Sequence, residues 1–261
     1  MRLLLSLVLS VMMALATVAQ KPLHVVILGD SNTWIGGDDC EKPQGWNKWF
    51  KDVLQPMTCK SYARSGATWT NTSQTRRNTQ ENIEKLGDDN VIYNQICRLQ
   101  EAVDEGIQNT PQLILILAGT NDAWFLKARP NALSIPSCKA YCTCCTINDR
   151  PVNEVLTLAE SVHYGCELLR TAYPEARIIL LTPLQSVAAG TENIAKAGDI
   201  IEDCGQKMGL SVIRLDKDGG IDAAKEKVKH HLTIDGTHTS ETGARQVGTF
   251  IAGKITALLQ P

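Results

Sequence analysis

Aromatic residues are scarce, at 5% of the 261-residue chain, and neither sign of charge dominates, with 26 Lys+Arg against 28 Asp+Glu. Without a basic excess there is no electrostatic footprint for nucleic acid, and no nucleic-acid partner is expected. Internal repeats, low-complexity tracts and an evident interdomain linker are also missing. Beyond the N-terminus no apolar run approaches the roughly 20 residues that a membrane-spanning helix needs. An amphipathic basic helix and a long apolar lid pattern are lacking too, which argues against an enzyme working at a membrane surface.

What is present begins with Met1-Arg2, an apolar run from Leu3 to Val18, and Ala19-Gln20-Lys21. One early positive charge, a short apolar stretch and small residues predict an export signal over residues 1–19, cut after Ala19. The expected localisation is periplasmic or secreted, with no stable membrane insertion after cleavage. Residues 20–261, roughly 240 of them, suffice for one well-buried domain. Nine cysteines lie in that part, and in an exported protein they favour disulfides. Nine is odd, so at least one is unpaired or bonds between chains. Cys138, Cys142, Cys144 and Cys145 crowd one segment. Their spacing matches no common zinc pattern, and disulfides are the stronger expectation. No metal or cofactor is expected.

Five short apolar runs predict strands: Leu23–Leu28, Lys60–Ala63, Leu113–Ala118, Arg177–Leu181 and Ser211–Leu215. Leu113–Leu117 is continuously apolar, as suits a parallel strand covered on both faces. Helical periodicity marks Val91–Gln108, Asn153–Tyr173, Glu192–Met208 and Glu241–Leu259, with Ser240 as the N-cap of the last. Alternating strands and helices imply right-handed crossovers, hence a helix–sheet–helix sandwich on a five-stranded parallel sheet. Two long irregular stretches remain, Asn71–Asn90 and a Cys-rich insertion at about 123–152. Each follows a strand, so each is placed to wall a pocket.

Ligand sites in such sheets form at the carboxyl ends of the strands. There the sequence puts Gly29-Asp30-Ser31-Asn32-Thr33, then Arg64-Ser65-Gly66, then Gly119-Thr120-Asn121-Asp122. Before the last helix comes Asp235-Gly236-Thr237-His238. A serine hydroxyl needs a base to take its proton, and histidine is the usual one near neutral pH. The three-residue spacing of Asp235 and His238 lets a turn bring the carboxylate to the ring Nδ1, which leaves Nε2 for Ser31. An oxyanion needs fixed donors, available from the Ser31 and Gly66 backbone N–H groups and the Asn121 amide. Each cluster alone is an ordinary turn. Their order and placement point to one site.

Those four clusters resemble the sequence blocks of the SGNH hydrolases, also called the GDSL esterase/lipase superfamily. The resemblance runs from residue 23 to about 250. It implies a flavodoxin-like three-layer fold, no metal, and hydrolysis through an acyl-enzyme. It also implies Ser31 as nucleophile, His238 as base, Asp235 as its orienter, and Gly66 and Asn121 as oxyanion donors. The Gly-x-Ser-x-Gly elbow of α/β-hydrolases is absent, since Asn32-Thr33 follows Ser31.

Asp30, Asn32, Trp34, Arg64 and Asp122 are further candidates for contact with substrate. Asp30 and Asp122 read better as structural hydrogen-bond partners. Arg64 suits either an anionic or sugar substrate or a salt bridge. His230-His231 reads as loop, His163 as a helix residue and His24 as a strand start. The expected partner is a small-molecule or polysaccharide ester. Trp34, Trp46 and Trp49 follow Ser31 closely, and tryptophan faces stack on sugar rings, so the expected substrate is an acetylated carbohydrate. A broad small-ester or lipid esterase or thioesterase is the alternative. A catalytically silent glycan-binding protein and an acyltransferase on the same acyl-enzyme also stay open.

Overall fold

The computed structural model describes residues 23–80, 90–134, 140–141 and 146–260. The expected export signal and the cluster Cys138–Cys145 lie outside the described residues. No helix among the described residues is long and apolar enough to cross a membrane.

Five strands form one parallel sheet, β1 (His24–Gly29), β2 (Thr58–Ser61), β3 (Leu113–Leu117), β4 (Arg177–Leu181) and β5 (Ser211–Ile213). Their order is β2-β1-β3-β4-β5, the flavodoxin-like order, with the sheet reversing direction of growth beside β1. Successive side chains on a strand serve opposite faces. Val26, Leu28, Ile114, Ile116, Ile178 and Leu180 pack under α3 (Ile92–Asp104), α5 (Leu158–Ala172) and α6 (Thr191–Met208). Val25, Ile27, Leu113, Leu115, Leu117, Ile179 and Leu181 pack under α2 (Trp46–Leu54) and α9 (Glu241–Leu259). Every residue of β3 is buried, which is why its sequence does not alternate. The three-layer expectation holds.

Several boundaries differ from the sequence reading, each for a local reason. The helix expected from Asn153 starts at Leu158. Thr157 caps it by accepting from the Glu160 backbone N–H, while its hydroxyl donates to the Glu160 carboxylate at 2.8 Å, a reciprocal arrangement that fixes the start. The last strand stops at Ile213 rather than Leu215. Arg214 turns to pair with Asp216 at 2.7 Å, and the chain enters α7 (Leu215–Asp218). Ser240 caps α9 as expected, accepting from the Gly243 N–H at 3.2 Å.

Helix α2 has no counterpart in the sequence reading. It lies against α9 so closely that a Cβ on Gly248 would sit 2.2 Å from the Trp46 carbonyl. Trp46 and Phe50, one turn apart, stack edge to face and are wholly buried. This revises the expectation for the tryptophans. Trp46 is core, its ring N–H donating to the Thr33 hydroxyl at 3.0 Å. Trp49 donates to the Pro43 carbonyl and lies under Arg245. Of the three, only Trp34 stays open to solvent as a platform, at 38% exposure.

Candidate active site

The chain leaves β1 at Gly29, where a side chain has no room: a Cβ would meet the Leu117 carbonyl at 2.6 Å and the Thr33 hydroxyl at 2.7 Å. Both polar groups of this peptide are clamped by Gln95 of α3, which accepts from the Gly29 N–H at 2.9 Å and donates to its carbonyl at 2.8 Å. Asp30 then caps the short helix α1 (Ser31–Trp34), its carboxylate accepting from the Asn32 N–H at 3.0 Å. Ser31 is the first helical residue, so its own N–H lies at an end where helices leave donors unsatisfied.

His238 reaches across from the other end of the chain. Its Nε2 lies 2.9 Å from the Ser31 Oγ, and its Nδ1 lies 2.7 Å from Asp235 Oδ2. The second Asp235 oxygen accepts from the Thr237 and His238 backbone N–H groups at 2.9 and 2.8 Å. Partial burial works to raise the Asp235 carboxyl, but these bonds and the ring bond from His238 outweigh it and hold it below its ordinary value. A carboxylate that stays ionised fixes the ring's Nδ1–H tautomer and leaves Nε2 as the acceptor for the serine proton.

The Asp235–His238 turn is itself braced. Glu226 on α8 (Ala223–Val228) accepts from the backbone N–H groups of His231, Leu232 and Thr233 and from the Thr233 hydroxyl, at 3.0, 3.0, 2.9 and 2.5 Å. Thr233 pairs with Thr239 in an antiparallel bridge that closes the turn. Gly236 takes φ +82°, a left-handed conformation that favours glycine. The Thr239 N–H donates to Asn32 at 3.3 Å and the Thr237 hydroxyl bonds Ser186 at 2.8 Å, so the turn is tied both to the serine helix and to the β4 side.

Gly66 follows β2 and takes φ +74°, a left-handed conformation that favours glycine. Asn121 lies on α4 (Thr120–Trp124). Its amide donates one hydrogen to the Ala67 carbonyl at 2.9 Å, and an amide nitrogen carries a second. Asp122 is completely buried and accepts from the Trp69 and Thr70 N–H groups at 3.0 and 2.9 Å. It braces the loop that carries Gly66 and makes this its visible role. Arg129 supports the same loop through Thr68 and Thr70.

Asp30 is also completely buried, and desolvation pushes its carboxyl up to about 6 against the hydrogen bonds it accepts. Arg64 is 3% exposed and pairs with Asp38 at 2.9 Å. With Trp34 and the loop from Gly36 to Lys42 it lines a cavity of about 420 Å³. Trp34 ends the helix that Ser31 begins, and Ser31 itself does not line this cavity. Among the described residues no cluster of histidine, cysteine or acidic side chains is arranged to hold a metal ion. His230 bonds the Ile234 carbonyl in a loop, His24 bonds Thr58, and His163 stacks on Tyr141.

Sequence reading named Ser31, Asp235, His238, Gly66 and Asn121; the fold brings the first three into hydrogen-bond contact and ties Asn121 to Ala67, the residue after Gly66. It missed Gln95 and Glu226, whose work is to hold backbone at the site. Glu226 carried a faint signal, an acidic residue a few positions before a helix-free run ending at Asp235.

At the carboxyl edge of a parallel sheet, this Asp–His–Ser row is arranged so that histidine can accept the serine proton. The chain belongs to the GDSL-like lipase/acylhydrolase family, whose model matches residues 27–246. The fold is shared with a lipase/acylhydrolase from Enterococcus faecalis, at 19% identity and TM-score 0.53, covering 92% of this chain and 98% of that one. It is shared with an acetyl xylan esterase at 16% identity and TM-score 0.53, covering 91% and 100%. A member of the lipolytic G-D-S-L family from Veillonella parvula gives 14% identity and TM-score 0.52, covering 91% and 100%. A search of the curated proteins finds no match.

Proposed function

We propose that this protein is an exported esterase that removes acetyl groups from carbohydrate through an acyl-enzyme on Ser31. The observation that carries the mechanism is the unbroken row of contacts from Asp235 through His238 to Ser31, at 2.7 and 2.9 Å. His238 Nε2 takes the Ser31 proton as Oγ attacks the ester carbonyl. The oxyanion collects hydrogen bonds from the Ser31 and Gly66 N–H groups and the second Asn121 amide hydrogen. His238, now an imidazolium steadied by Asp235, gives its proton to the departing sugar hydroxyl. A water deprotonated by His238 then attacks the acetyl-serine, releases acetate and restores Ser31.

Two features favour carbohydrate as the alcohol. The cavity has Trp34, on the helix that Ser31 opens, as an exposed aromatic face. Its acidic walls are matched, Asp38 with Arg64, Asp39 with Lys60 and Glu41 with Lys51, and Lys42 adds one further cation. Paired charges offer many hydrogen-bonding atoms and little net field, which suits a neutral polyol better than an ionic head group. The run Met1–Ala19 supports export. The test is a substrate panel with acetylated xylan, p-nitrophenyl acetate, p-nitrophenyl palmitate and a phospholipid. Acetate release from the xylan with no cleavage of the long-chain esters is expected. Preference for the palmitate or the phospholipid would overturn the carbohydrate reading and favour a lipid esterase. No turnover of any ester would favour a glycan-binding protein.

A further inference from the structure

Cys40 and Cys59 sit side by side away from the serine row. Their sulfurs are 3.7 Å apart, the Cys59 S–H directed at Cys40, and both residues are buried. Cys59 belongs to β2, paired in register with Val25 of β1. Cys40 belongs to the loop between Gly36 and Gly45, where it holds a left-handed φ of +56° that non-glycine residues rarely take. The Asn47 amide donates to its sulfur at 3.4 Å. The same loop walls the cavity between Trp34 and Arg64 through Gly37, Asp38 and Lys42. Its attachment to the sheet edge rests otherwise on the Ser61 N–H donating to the Asp38 carbonyl at 2.8 Å and the exposed-side pairs of Asp38 and Asp39.

We propose that Cys40 and Cys59 are joined by a disulfide that staples the 36–45 loop, and with it the cavity wall, to the edge strand β2. A disulfide needs its sulfurs about 2.05 Å apart. Closing from 3.7 Å asks for side-chain rotation and a small movement of the loop, which is not held in any helix or strand. The chemistry is exchange with an external disulfide, either a small molecule or a thiol–disulfide oxidoreductase. One thiolate attacks a sulfur of that disulfide and releases its partner as a thiol. The second protein thiolate then attacks the cysteine sulfur of that mixed disulfide, forms the Cys40–Cys59 bond and expels the remaining external half as the second thiol. Overall the two cysteines lose two protons and two electrons, and the external disulfide is reduced to two thiols.

Timing follows from burial. In the closed loop the Cys59 thiol is pushed well up by its hydrogen bond to Cys40 and by desolvation, so Cys59 in the folded chain is a poor nucleophile. Exchange therefore belongs to folding, before the loop closes over β2. Once formed, the bond is sheltered from reductants by the same burial. The inference does not depend on the role assigned to Ser31.

The test refolds the reduced chain in a glutathione redox buffer, alkylates it under denaturing conditions, digests it without reductant and maps peptides by mass spectrometry. The expected result is a linked pair of peptides holding Cys40 and Cys59, two hydrogens lighter than their sum. Wild type reduced in denaturant and refolded with reductant present should melt about 5–10 °C below the oxidised protein for a loop of this span, and C40A/C59A should show no such difference. Alkylation of both residues in the oxidised wild type, or a bond from either one to another cysteine, would overturn the proposal. Because the peptide map uses the wild-type chain, it decides the matter even where the double variant folds poorly.

Discussion

Replacing Glu226 by glutamine should weaken the protein and slow it, although Glu226 touches no reacting atom. One carboxylate oxygen accepts from Leu232, and the other accepts from the His231 and Thr233 N–H groups and the Thr233 hydroxyl. A glutamine best keeps its carbonyl on the three-donor side. Its NH2 then faces the Leu232 N–H, donor against donor. One bond is lost outright, with a desolvated N–H left over, and three others lose charge assistance. With Glu226 only 3% exposed, these losses come to about 2–4 kcal/mol. The Asp235–His238 turn hangs from this clamp, so kcat on p-nitrophenyl acetate should fall about tenfold, with KM changing less. Burial works to raise the Glu226 carboxyl, but the four bonds outweigh it and hold it below its ordinary value of 4.5. A depressed carboxyl lends stability that is present above the ordinary value and lost as pH falls through the folded one. The gap between E226Q and wild type should therefore shrink in acid. Urea denaturation at pH 7 and below pH 4 measures it. A gap under about 0.5 kcal/mol at pH 7 would refute the reasoning, as would a gap that persists unchanged in acid.

Two further outcomes follow from the carboxylates beside the serine. Asp30→Asn keeps the acceptor for the Asn32 N–H but removes a buried carboxyl held at about 6 against an ordinary 3.8. Because that value is raised on folding, wild-type stability should fall by about 3 kcal/mol as pH rises from about 4 through 6. D30N should lack that fall, and parallel pH–stability curves would contradict it. Asp235→Asn leaves one oxygen for the backbone donors and turns an NH2 toward the ring, which imposes the tautomer with the proton on Nε2. The expected loss in kcat is about 10²–10⁴-fold, and near-wild-type turnover would show that Asp235 does not orient His238.

The sheet was legible because a buried parallel strand leaves an unbroken apolar run, as Leu113–Leu117 does, and the serine row was legible because Ser31 follows the first strand while Asp235 and His238 sit three residues apart just before the last helix. Helix α2 escaped because its nine residues carry aromatic side chains that read equally well as a binding surface. Only the contact with α9 at Gly248 makes them core. Gln95 escaped for a different reason. It serves Gly29 from 66 positions away, and no local pattern in the sequence carries that distance. Asp30 and Asp122 were read as structural partners, and their complete burial and backbone bonds agree. The start of α5 was misplaced by a few residues, although the Thr157–Glu160 box that sets it was written in the sequence.

The central claim is that Ser31 is the nucleophile. The most direct measurement treats the protein with a fluorophosphonate and locates the adduct by mass spectrometry, alongside p-nitrophenyl acetate turnover by wild type and Ser31→Ala. The account predicts a single adduct on Ser31, no labelling of S31A, and loss of turnover in S31A. An adduct on any other residue, or full turnover by S31A, would contradict it.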